Sequence, residues 1–404
     1  MKRLLALSAG VALLATSQAF AAGFEKSIPW GGETAGLAGI GTPYVQNSQA
    51  LFFNPAGLLG DKVGQDVSFN LTALQPTVKA PVFNKAAQET AESATLTPFG
   101  LIYGHTLNDK LGYGFGFYSV GGLATSFNGL KITGLGGDFD VKADLKITEL
   151  SLGAGYKVMD NLKVGAAWRM GMISAALGAP KAVNATTIDE GQYSDLEGSS
   201  YLGLRLGAQY KLSDDTQLGF TYRSEMTYEA KGKLNYSRHS VGTETQILTD
   251  QDVTVGTLLP AAWTLGAVHK LNASWNLYGE YVFTEYSKAT NISTEVNGAG
   301  STPIELKWKD QHNLRLAAAY SGFGMPVRFG YVWTSQVSNP DYAGPTTTPP
   351  GAASTFTLGT GKAFGNVNVN GGFDYTTVSG KVTGYTAENE ATSYALHLGA
   401  DYSF

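Results

Sequence analysis

The sequence predicts an all-β transmembrane protein: one antiparallel barrel of about fourteen strands, with an N-terminal segment folded into its lumen as a plug. Three observations carry this expectation. Runs of roughly ten residues alternate apolar and polar side chains with a period of two, the pattern of strands with two unlike faces. The connections alternate between short polar turns and long stretches rich in Gly, Thr, Asn and Ser, as in bacterial outer-membrane barrels with periplasmic turns and external loops. Finally, charged residues make up only 15%, alongside 51 Gly, 21 Tyr and 19 Phe, whereas soluble domains carry about 25% charged residues. The mean hydropathy of −0.07 is nevertheless too low for a bundle of membrane helices.

The same numbers exclude other classes. A length of 404 residues suits one large barrel as well as several soluble domains. A net charge of −5 leaves no basic surplus for nucleic acid. There are no cysteines, which removes disulfides, thiol catalysis and cysteine metal sites.

Residues 1–21 read as a signal peptide. Lys2 and Arg3 precede an apolar run, Leu4 to Leu14, that is short for a membrane span, and Ala19-Phe20-Ala21 has the small-x-small form of a cleavage site. The expected location is the bacterial outer membrane. Residues 22–64 lack strand periodicity. They contain Gly31-Gly32, Gly36, Gly39, Gly41 and the compact run Leu51-Phe52-Phe53-Asn54-Pro55-Ala56-Gly57-Leu58. A barrel of this size is a water channel unless something fills it, and a glycine-rich apolar segment suits that task.

The barrel is expected over 65–404. Its strands are placed at 65–79, 97–107, 111–123, 141–158, 161–177, 199–212, 216–233, 253–271, 274–289, 304–320, 326–336, 353–363, 366–382 and 391–404. Leu162, Val164, Ala166, Trp168, Met170 and Met172 share one face of their strand, opposite Lys163, Gly165, Ala167, Arg169 and Gly171. Leu202, Leu204, Leu206, Ala208 and Tyr210 likewise oppose Gly203, Arg205, Gly207 and Gln209. In the third strand Leu111, Tyr113, Phe115 and Phe117 oppose Gly112, Gly114 and Gly116, whose bare backbone would let a plug pack closely. Gly121-Gly122 then interrupts the pattern, marking either a bulge that opens the wall or the end of the strand. Long loops are expected at 178–198, 234–252, 288–303 and 337–353. The chain closes on Leu396 to Phe404, an alternating strand with a terminal aromatic that is similar to the signal read by the outer-membrane assembly machinery.

With these residues in view, the chain resembles the FadL-type transporters of hydrophobic compounds. The resemblance rests on Ala22-Gly23-Phe24, the Ala-Gly-rich run at 35–41, Asn54-Pro55-Ala56, Pro260-Ala261 with Trp263-Thr264-Leu265-Gly266, and Asp310-Gln311-His312-Asn313 followed by 326–331. It covers nearly the whole mature chain. It implies passive transport of long-chain fatty acids or hydrocarbons, with no cofactor and no metal. The implied route begins in an apolar groove between loops 178–198 and 234–252 and continues to a lumenal pocket on the plug. A shift of Ala22–Phe24 then precedes sideways exit near Gly121-Gly122 into the lipid. Asn54, Pro55 and Ala56 match the plug motif of that family.

By alternation Arg169, Arg205, Arg223, Arg315 and Arg328 face the lumen, as do Glu149, Glu225 and Glu280. Arg169 and Arg205 are candidate carboxylate-binding groups; the alternative is a network of lumenal ion pairs that also holds the plug. An enzyme is the rival class, but His105, His239, His269, His312 and His397 show neither metal spacing nor a nucleophile motif. A barrel that only presents its loops, as an adhesin does, has no need of a plug. The expected partners are a hydrophobic ligand, outer-membrane lipid and lipopolysaccharide, and the assembly machinery, for a protein acting as a monomer. The ligand itself is not written in the sequence. The acidic loop at 178–198, with Asp189, Glu190, Asp195 and Glu197, leans toward a neutral hydrocarbon.

Overall fold

A computed structural model describes residues 30–404 except 93, 133, 185 and 301–303. The expected signal peptide at 1–21 and the Ala22–Phe24 motif lie outside the described residues. The described chain forms a closed antiparallel barrel of fourteen strands. They are β1 (Gly64–Ala80), β2 (Phe99–Thr106), β3 (Leu111–Leu130), β4 (Phe139–Met159), β5 (Leu162–Asn184) and β6 (Thr187–Lys211). β7 runs Thr216–Arg223 and resumes as Met226–Ser240; β8 runs Thr243–Leu259 and resumes as Ala262–Lys270. Then come β9 (Trp275–Thr284), β10 (Gln311–Tyr320), β11 (Val327–Thr334), β12 (Ala353–Phe364), β13 (Val367–Gly380) and β14 (Asn389–Ser403). Each strand pairs with its neighbours in sequence, and β14 closes on β1 from Asp66↔Ser403 to Lys79↔Glu390. Closure pairs the first strand with the last, so neither terminal strand offers an edge to lipid.

The alternation read from the sequence sets which side chains face outward. Trp168, Leu204, Leu206, Leu314, Leu316, Phe329 and Trp333 are exposed on the outer surface, while Arg169, Arg205, Gly207 and Arg328 are buried on the inner one. An apolar outer face beside an inner face of Ser, Thr, Asn and charged residues inverts the rule for soluble proteins and fits the outer membrane.

Two expectations change. The stretches 178–198 and 234–252 are mostly not loops. They are hydrogen-bonded hairpins: Gly178↔Gln192 and Pro180↔Glu190 continue the β5–β6 ladder, and Glu244↔His239 and Gln251↔Leu234 continue β7–β8. β5 and β6 reach 23 and 25 residues, whereas about 9–11 residues suffice to cross a bilayer. Their polar composition imitated a loop because these extensions stand clear of the membrane and need no apolar outer face. Their inner faces carry Tyr193, Leu196 and Leu234, which pack with Leu177, Tyr228 and Val255 of the adjoining strands into one buried cluster at that end of the barrel. Of the apolar residues expected to form a groove between these two stretches, Tyr193, Leu196 and Leu234 are instead buried in that cluster. Glu225 is the second correction: it sits in the break of β7, exposed, with Lys288 3.9 Å away, and not in the lumen.

Candidate functional site

The described part of the N-terminal segment, from Trp30 to β1, lies against the inner face of the barrel. It holds two short helices, α1 (Gly32–Gly36) and α2 (Ala50–Phe53), and a 3-10 turn, Pro55–Leu58. Irregular backbone away from water must find hydrogen-bond partners elsewhere, and inward side chains of the wall supply them. Asp66 accepts from Ser48 N (2.8 Å) and Asp401 from Gln49 Nε2 (2.7 Å). Glu280 accepts from Thr42 N (3.2 Å), and Arg315 donates to Gly39 O (3.1 Å). Gln209 donates to Val45 O (3.1 Å), and Lys163 to Leu59 O (2.8 Å).

Wall glycines let the segment approach this closely. A Cβ on Gly165 would lie 2.3 Å from Ala56 N, one on Gly207 2.0 Å from Asn54 Oδ1, and one on Gly219 2.4 Å from Thr42 O. A Cβ on Gly112 of β3 would likewise lie 2.1 Å from Leu58 O; one on Gly114 would meet Tyr103 O at 2.7 Å and Leu58 Cδ2 at 2.9 Å, and Gly116 faces Ile102.

Asn54, Pro55 and Ala56 sit at the centre of these contacts. Asn54 is extended (φ −160°, ψ 104°), the conformation favoured before a proline. Its buried amide donates to Thr42 O and to Ala208 O on β6, both at 2.9 Å, and its Oδ1 accepts from Ala56 N at 3.2 Å, capping the 3-10 turn.

The two candidate arginines have different surroundings. Arg169 is fully buried and gives two hydrogen bonds to Glu149 (2.8 and 2.6 Å) and one to Ser224 O (3.2 Å). Glu149 also accepts from Tyr118 Oη (2.7 Å). Arg205 donates to the carbonyls of Leu51 and Phe52, lies 5.1 Å from the Phe52 ring, and borders a cavity.

That cavity has a volume of about 450 Å³. One end is polar, with Thr221, Arg223, Thr264, Glu280, Asn313 and Arg315 on β7–β10. The other is apolar, with Trp30, Phe52, Phe53, Leu123, Leu145 and Ile147. The apolar end reaches the wall between β2 and β3. The β2–β3 ladder ends at Gly100↔Tyr118. Preceding residues turn to β1 instead, with Thr72 N donating to Pro98 O and Leu74 bridging Leu96. The next backbone bond to β3 is Glu92 N to Ser126 O. Among the described residues, the β3 backbone from Ser119 to Thr125 thus forms no backbone–backbone hydrogen bond on that side, although Ser119 Oγ accepts from Phe99 N at 3.2 Å. Gly121 and Gly122 lie in this interval and border the cavity. The strand does not end there: it continues to Leu130, with an extra residue at Val120 where the β3–β4 register slips between Ser119 and Gly121. Phe404, beyond the end of β14, is exposed and exchanges two backbone hydrogen bonds with Gln65.

Comparison with known proteins adds a family. A family model described as outer membrane protein transport protein (OMPP1/FadL/TodX) matches residues 12–404. The long-chain fatty acid transport protein of Escherichia coli O6:H1 is 22% identical over 348 residues, covering 76% of this chain and 74% of that protein. The 47 kDa outer membrane protein of Pasteurella multocida is 23% identical over 428 residues, covering 97% and 98%. Among solved structures, the toluene transporter TodX of P. putida superposes with a TM-score of 0.79 at 18% identity, covering 94% of this chain and 99% of that one. A Pseudomonas aeruginosa FadL homologue gives 0.78 at 16%, with the same coverage. At these identities the superpositions speak for the fold.

Proposed function

The chain belongs to the OMPP1/FadL/TodX family of outer membrane transport proteins, and from that premise we propose that it passively carries hydrophobic small molecules, long-chain fatty acids or hydrocarbons, from the cell exterior into the outer membrane. The observation that carries the reading is the cavity that runs from the lumen to the unpaired β3 edge. An apolar solute loses free energy by staying out of water, so sideways passage at Gly121-Gly122 into the bilayer is favoured over exit into the periplasm.

In this reading residues 22–64 are the plug, Asn54-Pro55-Ala56 its anchor, and Arg205 a contact for the polar end of a ligand. Arg169 instead holds the wall together through Glu149. The protein acts as a monomer, because one chain supplies the whole lumen and cavity, and Phe404 presents the assembly signal. No reaction and no cofactor are involved. A barrel that merely displays its hairpins has less support, since those hairpins turn their apolar faces inward.

The test is uptake of labelled oleate and of toluene by a host lacking its own transporter for such compounds. Expression of this chain should speed entry of at least one of them. Entry of both at the rate of the empty-vector host overturns the proposal.

A further inference from the structure

We propose that Trp30 is the latch of the lateral opening: its indole spans the two strands where their ladder ends and limits how far the wall parts. This rests on the lateral-release reading and adds a residue to it.

Three contacts support the assignment. The indole Nε1 donates to Ser119 O at 2.8 Å, at the first β3 residue past the ladder, whose only bond to β2 among the described residues is Ser119 Oγ accepting from Phe99 N at 3.2 Å. The ring lies flat on Gly100, the last β2 residue of the ladder, where an added Cβ would meet three ring carbons at 2.9 Å. One side chain from the N-terminal segment therefore touches both rims of the gap at its closed end. The ring is also held from behind: Phe52 lies 4.8 Å from it, Tyr118 5.6 Å and Phe53 6.3 Å, centre to centre. Trp30 is only 1% exposed, and it borders the cavity.

Chemistry favours this use. Ser119 O lies half-buried where the ladder stops, and a carbonyl shielded from water without a donor is costly. The indole N–H supplies one without adding a backbone strand that would seal the wall. An aromatic platform also suits an apolar solute, and its edge can swing while its face stays on Gly100. Loss of the N–H should free the bulge at Val120; loss of the ring should leave the Phe99 N–Ser119 Oγ bond as the one remaining tie between the rims among the described residues.

The chain has no cysteine, so a single introduced thiol reports on the opening. Val120→Cys places a thiol at the bulge, and Leu150→Cys places one on the lipid-facing surface as a reference. Both are labelled in liposomes with a maleimide carried on a lipid tail, in otherwise unchanged protein and with Trp30→Phe, Trp30→Ala or Gly100→Ala. Heat-modifiable mobility on gels confirms that each barrel is folded. The expected result is labelling at position 120 about five-fold faster with Trp30→Phe and faster still with Trp30→Ala, while position 150 is unchanged. Gly100→Ala, which pushes the ring off its seat, should also speed labelling. Equal rates at position 120 in all folded variants overturn the latch and leave lateral release standing. No labelling at position 120 in any variant, with position 150 labelled normally, overturns lateral release and the latch together.

Discussion

Replacing Asn54 by alanine should unseat the N-terminal segment while leaving the barrel intact. The side chain makes three well-formed hydrogen bonds, at 2.9, 2.9 and 3.2 Å, to Thr42, to Ala208 on the wall and to Ala56. At about 1 kcal/mol net for each, the substitution costs about 3 kcal/mol. That raises the population of the detached segment roughly 150-fold. Barrel strands keep their own ladders, so the loss falls on docking and not on the fold. Asn54→Asp should be worse, since it sets a carboxylate against the carbonyls of Thr42 and Ala208. Two measurements read the effect: swelling of liposomes in small sugars, which reports an open lumen, and limited proteolysis within 30–62. Folded Asn54→Ala protein that admits sugars no faster than the parent, and gains no cleavage in that segment, would refute the reasoning.

Other perturbations follow from the same geometry. Glu149→Gln removes the counter-charge of a guanidinium with no exposed surface, at a cost of about 3–5 kcal/mol; the barrel should lose its compact gel mobility at a lower temperature, and an unchanged transition argues against a pair that matters. Replacing both Glu149 and Arg169 by leucine should recover most of that loss, which a thermal comparison of the two variants decides. Gly165→Val puts a side chain where Ala56 N would be 2.3 Å from its Cβ, so it should leak sugars as Asn54→Ala does; a tight barrel contradicts the close-approach argument. Removing Phe404 should lower the amount of folded protein in the outer membrane without slowing uptake per folded molecule, and normal yields would count against its role in assembly.

Much of this was readable in the sequence, for reasons that differ by element. Strand positions followed from two-residue periodicity, because a membrane barrel forces unlike faces on each strand: β1, expected at 65–79, runs Gly64–Ala80, and β13, expected at 366–382, runs Val367–Gly380. Periodicity failed where the outer face meets water. There Tyr193 and Leu196 among polar neighbours looked like loop composition, although Tyr193 is the ladder partner of Leu177. Gly121-Gly122 interrupted the alternation, but one sequence cannot distinguish a bulge from a strand end, since the difference lies in the pairing of residues 92–100. Alternation also put Arg169 and Arg205 on the inner face without giving their neighbours. Only the fold sets Arg169 against Glu149 and Arg205 at the cavity. Trp30 stood in a segment with no period at all, so nothing local marked it as touching both β2 and β3.

The distribution of wall contacts also orders the events of folding. The earliest described residues depend on the latest: Gln49 binds Asp401 across 352 positions, and Ala38 binds Thr357 across 319. Gly32 sits between Asn370 and Gly399, on the two strands that complete the circle. Contacts so distant in sequence form late, because closing a long loop costs entropy before the contact repays it. The pairing that closes the ring, Asp66↔Ser403, is just as distant, so the earliest described residues are fully seated only once the last two strands are in place.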